Sequence, residues 1–130
     1  MAMPPPPPSA PPPLPFDGIW VGTFSCEATG GKANLNYSLI FEIKNGNWSR
    51  LNTLMATPGQ PGYDHYGGTI GADGHVLLTR NGVGDGRAPG GASLGEPISM
   101  KFAGAFQGDT FAAAAIGSRR PCRIQLTRRR

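Results

Sequence analysis

Short runs of alternating apolar and polar residues recur along the chain after its first 15 residues. In the clearest run, 34–44, the apolar side chains share one face: Leu35, Tyr37, Leu39, Phe41 and Ile43. A period of two is typical of a β-strand with one buried face, whereas an amphipathic helix needs apolar residues at i, i+3, i+4 and i+7. The alanine stretch 112–115 is too short for a helix and is assigned to a strand. The pattern predicts an all-β chain.

Turn residues divide these runs into eight predicted strands. Asn45-Gly46 is typical of a two-residue type I′ hairpin turn. Prolines and glycines make the loop 57–62 rigid, and 81–97 is predicted to be a long, mobile, glycine-rich loop. The predicted strands cover 18–27, 34–44, 47–55, 63–70, 75–80, 98–107, 110–116 and 121–128.

The two cysteines lie on the first and last predicted strands. Cys26 shares its parity with Trp20, and Cys122 shares its parity with Ile124. In a closed antiparallel barrel the first and last strands are neighbours, so both thiols face the interior at bridging distance. Closure also removes exposed strand edges. We therefore predict an all-β fold, a single eight-stranded antiparallel up-and-down barrel with a first-to-last-strand disulfide, and an oxidising compartment.

The first 15 residues differ from the rest, because they hold nine of the 14 prolines. Polyproline II extends by about 3.1 Å per residue and has no packing surface. We expect 1–15 to be a disordered spacer and 16–130 to be the barrel domain. The spacer lacks the charged start and apolar core of a signal peptide, and no stretch reaches the length of a membrane span. If the protein is exported, we expect that its signal was removed or that this domain was cut from a longer chain.

Positive charge is concentrated at the C-terminus of a chain whose net charge is +4. No aromatic cluster accompanies these arginines, so the stacking surface of a nucleic-acid site is missing. We expect a solvated, fraying tail and no nucleic-acid partner. Half of the 12 basic residues fall in the last 12 positions: Arg119, Arg120, Arg123, Arg128, Arg129 and Arg130.

Three short motifs together resemble an uncharacterised family of small bacterial domains. They are the Phe-Asp-Gly-Ile-Trp motif at 16–20 followed by Cys26, the Thr-Pro-Gly-Gln-Pro-Gly loop at 57–62, and Arg-Pro-Cys at 120–122. The resemblance spans 16–128. It implies the barrel fold and export, and it implies no activity.

A weaker likeness is to the calycins, the group of lipocalins, avidins and lipocalin-like bacterial protease inhibitors. Gly18-Ile-Trp20 is similar to their Gly-x-Trp motif on the first strand. The likeness implies that Trp20 plugs the closed end of the barrel and that an arginine of the last strand covers its indole. Strand parity selects Arg128 over Arg123 for that position.

The chain offers few groups for catalysis. Asp64, His65 and His75 lie on adjacent predicted strands and are the minimum set for a zinc site with an open position, but no supporting partner accompanies them. We expect them to be exposed polar residues. No serine occupies a Gly-x-Ser-x-Gly turn. We therefore expect a protein that is not an enzyme and that has no catalytic residues, metal or cofactor.

Binding is expected at the open end of the barrel, where loops 57–66 and 81–97 are predicted to lie together. The expected binding residues are three exposed aromatic residues and a titratable one: Trp48, Tyr63, Tyr66 and His65. An eight-stranded barrel either fills its own interior or holds one small ligand, and the sequence leaves both open.

The function expected is that of a binding or interaction module in the bacterial periplasm or outside the cell. Its partner is expected to be a protein, a glycan or a small apolar ligand, without membrane insertion. The alternative is a periplasmic lipocalin-like protease inhibitor that acts through residues 1–15 as an extended arm.

Overall fold

A computed structural model describes residues 3–6, 14–53 and 56–130. The strands pair antiparallel in the order β3-β2-β1-β8-β7-β6-β5-β4, so the first and last strands are neighbours. Within the described residues, β3 and β4 are the two strands at the ends of this order and do not pair with each other. The predicted up-and-down barrel is confirmed. Its strands are β1 (Gly18–Cys26), β2 (Leu35–Lys44), β3 (Asn47–Arg50), β4 (Asp64–Ile70), β5 (His75–Val83), β6 (Pro97–Gln107), β7 (Thr110–Ile116) and β8 (Cys122–Arg129).

The predicted disulfide is also present. Cys26 and Cys122 stand directly opposite each other in the β1–β8 register and are bonded across a sequence separation of 96 residues. The bond fastens the pair of strands that closes the ring. Among the described residues, no helix is long and apolar enough to cross a membrane.

Two strand boundaries differ from the prediction by more than one residue. β3 ends at Arg50, because the side-chain amide of Asn52 accepts from the backbone N–H of Ile40 and donates to the carbonyl of Ser38, in place of a further strand residue. Residues 54–55 of the predicted strand lie outside the described residues. β5 continues to Val83, since its glycine-rich end pairs with both β4 and β6.

The closed end is filled by aromatic packing. Trp20 is fully buried, and Arg128 takes the position over its ring that parity selects, with the guanidinium carbon 4.9 Å from the ring centroid. Phe16 stacks on Phe106 with centroids 4.6 Å apart. Asp17 accepts from both turn amides of the β2–β3 hairpin, which has the two positive φ angles of a type I′ turn.

Two inward-facing glycines allow neighbouring strands to approach each other closely. A Cβ on Gly22 would lie 1.8 Å from the carbonyl oxygen of Gln125, and one on Gly104 would lie 2.3 Å from that of Ala112. Only glycine permits such an approach of two backbones. The closed half of the barrel is therefore a packed core.

The predicted fraying tail is wrong. β8 runs to Arg129, and the guanidinium of Arg128 donates to Asp109 over 2.9 Å and to the carbonyl of Pro15 over 2.9 Å. The tail is ordered because it is the strand on which the ring closes. The predicted spacer falls mostly on residues 1–2 and 7–13, which lie outside the described residues, so the domain boundary stays a prediction.

Candidate functional site

The open half of the barrel encloses a cavity of about 580 Å³. It lies among the connections 27–34, 51–63, 84–96 and 117–121, whereas the connections at the closed end have two to four residues. Cavities of 300–1,000 Å³ are the usual size of small-molecule sites. The barrel is therefore packed at one end and hollow at the other.

A cluster of three buried charged residues forms part of the cavity wall. The Asp64 carboxylate accepts from Nη1 of Arg50 and, over 2.7 Å, from Nε of Arg80. Their side chains are only 6%, 13% and 11% exposed, respectively. Because these residues stand on β4, β3 and β5, the cluster joins β3 to β4 where the barrel lacks backbone pairing.

Aromatic faces surround the Arg80 guanidinium. Its carbon lies 5.0 Å from the ring centroid of Phe24, 5.6 Å from that of Tyr66 and 5.9 Å from that of Tyr37. Burial alone would lower the pKa of Arg80, but the two tyrosines and Asp64 outweigh it, so the pKa is raised. Arg80 is thus a permanent buried cation on the cavity wall.

Two tyrosine hydroxyl groups lie at or behind this wall. The hydroxyls of Tyr37 and Tyr66 are buried and interact with each other closely enough to affect each other's pKa, but neither has a hydrogen bond of ordinary geometry to a described residue. Burial raises the pKa of Tyr37 and raises that of Tyr66 well above its ordinary value, so both hydroxyls keep their protons. Tyr37 lines the cavity, and Tyr66 lies behind the lining residues.

Arg120 ties together the loops around the mouth. Its guanidinium donates to the carbonyl of Glu27 over 2.7 Å, to that of Gly90 over 2.6 Å, and to that of Ala33. These carbonyls belong to the β1–β2 and β5–β6 loops. The glycine-rich loop predicted to be mobile is therefore held to its neighbours in the structure.

The structure places the expected binding residues differently from the prediction. Trp48 and Tyr66 are 5% and 2% exposed, so their predicted exposure is wrong. Both have inward parity: Trp48 packs on Phe41 and Phe111, and Tyr66 also packs on Phe41. Buried as they are, they offer no surface to a partner.

Tyr63 and His65 remain accessible beside the open end. Tyr63 is half-buried and His65 is exposed, with their rings stacked at 6.5 Å between centroids. Tyr63 also lines the cavity, and its carbonyl accepts from the amide of Val83, so loops 57–66 and 81–97 do share one end of the barrel. The binding role of this pair stays a prediction.

The three candidate zinc ligands do not meet. Asp64 points into the buried cluster, so its expected exposure is wrong, whereas His65 and His75 are exposed as expected. His65 pairs with Asn81 near the end of β5, whereas His75 begins that strand, so the two histidines lie at opposite ends of the hairpin. No group of three potential ligands occurs among the residues that the structure describes.

Sequence reasoning missed the residues that shape the cavity. Arg80 follows Val76 and Leu78 on the inward-facing side of β5. A charged residue at an inward-facing position is the sequence signal that could have identified it. Arg50 likewise follows buried Trp48 at the inward parity of β3, whereas Arg120 lies in a loop and carries no such pattern.

No family model, curated protein or solved structure matches this chain. The two resemblances drawn from its motifs therefore stay hypotheses. The inhibitor hypothesis rests on residues 1–15, most of which lie outside the described ranges.

Proposed function

We propose that this protein is a non-enzymatic binding module that holds a small ligand in the open half of its barrel. The observation that carries the proposal is the cavity of about 580 Å³ above a packed aromatic core. A barrel that only needed to be stable would fill both halves, since packed interiors leave few voids larger than a water molecule.

The rigidity of the wall supports the same function. The disulfide, the Arg50–Asp64–Arg80 ion pairs and the Arg120 contacts fasten described parts of the cavity wall, which limits the conformational entropy lost when a ligand enters. A protein or glycan partner on an aromatic surface has less support, because Trp48 and Tyr66 are buried.

The disulfide supports a place in the periplasm or outside the cell. Disulfides persist in oxidising compartments and are rare in the cytosol. The proposed compartment also suits a carrier or receptor for small molecules, which would meet its ligand outside the cytoplasm.

The test uses N-phenyl-1-naphthylamine, a neutral dye that fluoresces in apolar sites. Ile98 lines the cavity beside Gly82, so Ile98→Trp places an indole in the open space. Leu77→Trp adds the same group on the outer face, where Leu77 is 51% exposed. We expect saturable binding to wild type and to Leu77→Trp, and at least tenfold weaker binding to Ile98→Trp. Equal binding to all three proteins, or none to wild type, would overturn the proposal.

A further inference from the structure

We infer that the ligand of this cavity carries one negative charge, on a carboxylate or similar oxyacid group bound by Arg80. The inference rests on the proposed function and adds the chemical class of the ligand. It is drawn from the charges and free hydrogen-bonding groups of the cavity wall.

The buried cluster has a net charge of +1. Arg50 and Arg80 each contribute a positive charge, and Asp64 contributes the single negative charge. A buried charge is costly unless it is paired, and a cluster with one surplus cation is therefore incomplete. A monoanion in the cavity would balance it.

The unused hydrogen-bonding groups are donors. Each oxygen of the Asp64 carboxylate already accepts from a guanidinium, so it offers little to a ligand cation. Arg80 uses only Nε, and its two Nη groups donate to no residue within the described ranges. Two parallel N–H groups of a guanidinium match the two oxygens of a carboxylate.

The position of the Arg80 side chain is also fixed by its neighbours. It is 9% exposed, its guanidinium lies over the rings of Phe24, Tyr37 and Tyr66, and Asp64 fixes its Nε. A donor held in this way loses little freedom when it binds an anion. The protonated Tyr37 hydroxyl lies on the same wall, and among the described residues its one polar neighbour is the Tyr66 hydroxyl, with which it makes no hydrogen bond of ordinary geometry.

One part of the remaining lining suits an apolar body. Leu35, Val83, Ile98 and Met100 contribute apolar surface to the cavity, beside charged residues that balance one another: Lys32, Arg120, Asp85 and Glu96. The ligand that fits both parts is an amphipathic monoanion with its oxyacid group at Arg80 and its apolar body toward the mouth.

The experiment compares three ligands with the same chain: octanoate, octan-1-ol and octylammonium. Each displaces N-phenyl-1-naphthylamine from wild-type protein at pH 7. We expect octanoate to bind at least tenfold more tightly than octan-1-ol, as one or two charge-assisted hydrogen bonds predict, and octylammonium to bind most weakly. This comparison needs no variant.

Two variants then test whether Arg80 is the source of the preference for octanoate over octan-1-ol. Arg80→Met keeps an apolar stem and should reduce the affinity for octanoate about tenfold while leaving that for octan-1-ol within twofold. Arg129→Met removes the same charge from an exposed position on β8 and should change neither. Dye binding with equal affinities for octanoate and octan-1-ol would overturn the inference and leave the proposed function intact. An octanoate preference that survives in folded Arg80→Met would also overturn it.

Discussion

Arg50 and Asp64 form an ion pair across the one junction of the barrel, between β3 and β4, at which neighbouring strands are not hydrogen-bonded. The ion pair links β3 to β4, as backbone hydrogen bonds link the other neighbouring strands. Because Asp64 also accepts from Arg80, the same carboxylate completes the barrel and fixes a guanidinium on the cavity wall. Asp64 therefore contributes both to the stability of the barrel and to the candidate binding site.

Asp64→Ala should destabilise the protein strongly. It leaves two buried guanidinium groups without their carboxylate, and breaking a buried pair in this way costs about 3–5 kcal/mol. Asp73→Ala is the matched control, since Asp73 pairs with His75 where both side chains are largely exposed. Its expected cost is much smaller, because ion pairs between exposed side chains contribute little to stability. Urea unfolding gives both values, and similar costs for the two variants would show that the cluster carries little stability.

Tyr66→Phe should leave the protein as stable as wild type or make it more stable. The Tyr66 hydroxyl is buried and, although it interacts with Tyr37, makes no hydrogen bond of ordinary geometry to a described residue. An unsatisfied buried polar group costs about 1–3 kcal/mol. The Tm reports the change. A clear drop in the Tm would mean that the hydroxyl makes a stabilising bond that the geometry does not show.

Trp20→Ala should cost about 3–5 kcal/mol, because it empties the largest buried side-chain position at the closed end. Arg128→Met should cost less, about 0.5–2 kcal/mol for the cation–π contact, with loss of its hydrogen bonds adding to this. Denaturant unfolding of both variants checks the order. A Trp20→Ala protein whose free energy of unfolding lies within about 1 kcal/mol of that of wild type would contradict the packed closed end.

Loss of the disulfide should lower the free energy of unfolding by about 4 kcal/mol, because the bond closes a loop of almost the whole domain. The comparison is between wild type and Cys26→Ala/Cys122→Ala in urea. Intact wild type should also have a mass two hydrogens below that of its reduced form. A difference in stability below about 1 kcal/mol would indicate that the β1–β8 pairing alone holds the ring closed.

Asp109 should make stability depend on acid pH. Hydrogen bonds from Arg130 and then Arg128 lower its pKa below the ordinary value. A folded-state pKa below the unfolded one gives stability that is present above roughly pH 4 and is lost as pH falls through the folded pKa. The stability difference between wild type and Asp109→Asn should therefore be positive at pH 7 and shrink below pH 4. A difference that stays constant between pH 7 and pH 2 would contradict this assignment.

Strand parity accounts for what could be predicted from the sequence. The period-two pattern and the two cysteines were enough for the strand number, the closure and the disulfide, because each depends on which face a residue occupies. Parity also places Trp48 and Tyr66 inside, but their loop-like surroundings suggested exposure. The alternating pattern does not show at which residue each strand ends and the following loop begins.

The contacts that form the cavity wall depend on these strand ends, so the sequence pattern could not predict them. Arg50 meets Asp64 only because Asn52 ends β3 early and leaves a junction that side chains must bridge. Arg120 contacts carbonyls 87 and 93 residues away in sequence. Such long-range contacts follow from loop paths, which local patterns do not encode.

The most direct test of the central claim is a ¹⁵N-NMR titration of the wild-type protein with N-phenyl-1-naphthylamine. If the ligand occupies the open half of the barrel, saturable shifts should concentrate at cavity residues such as Tyr37, Arg80 and Met100, while Asn45 and Asp109 at the closed end stay within noise. Shifts centred on the outer face around Leu77, or shifts that never saturate, would contradict the claim that this barrel binds a ligand inside.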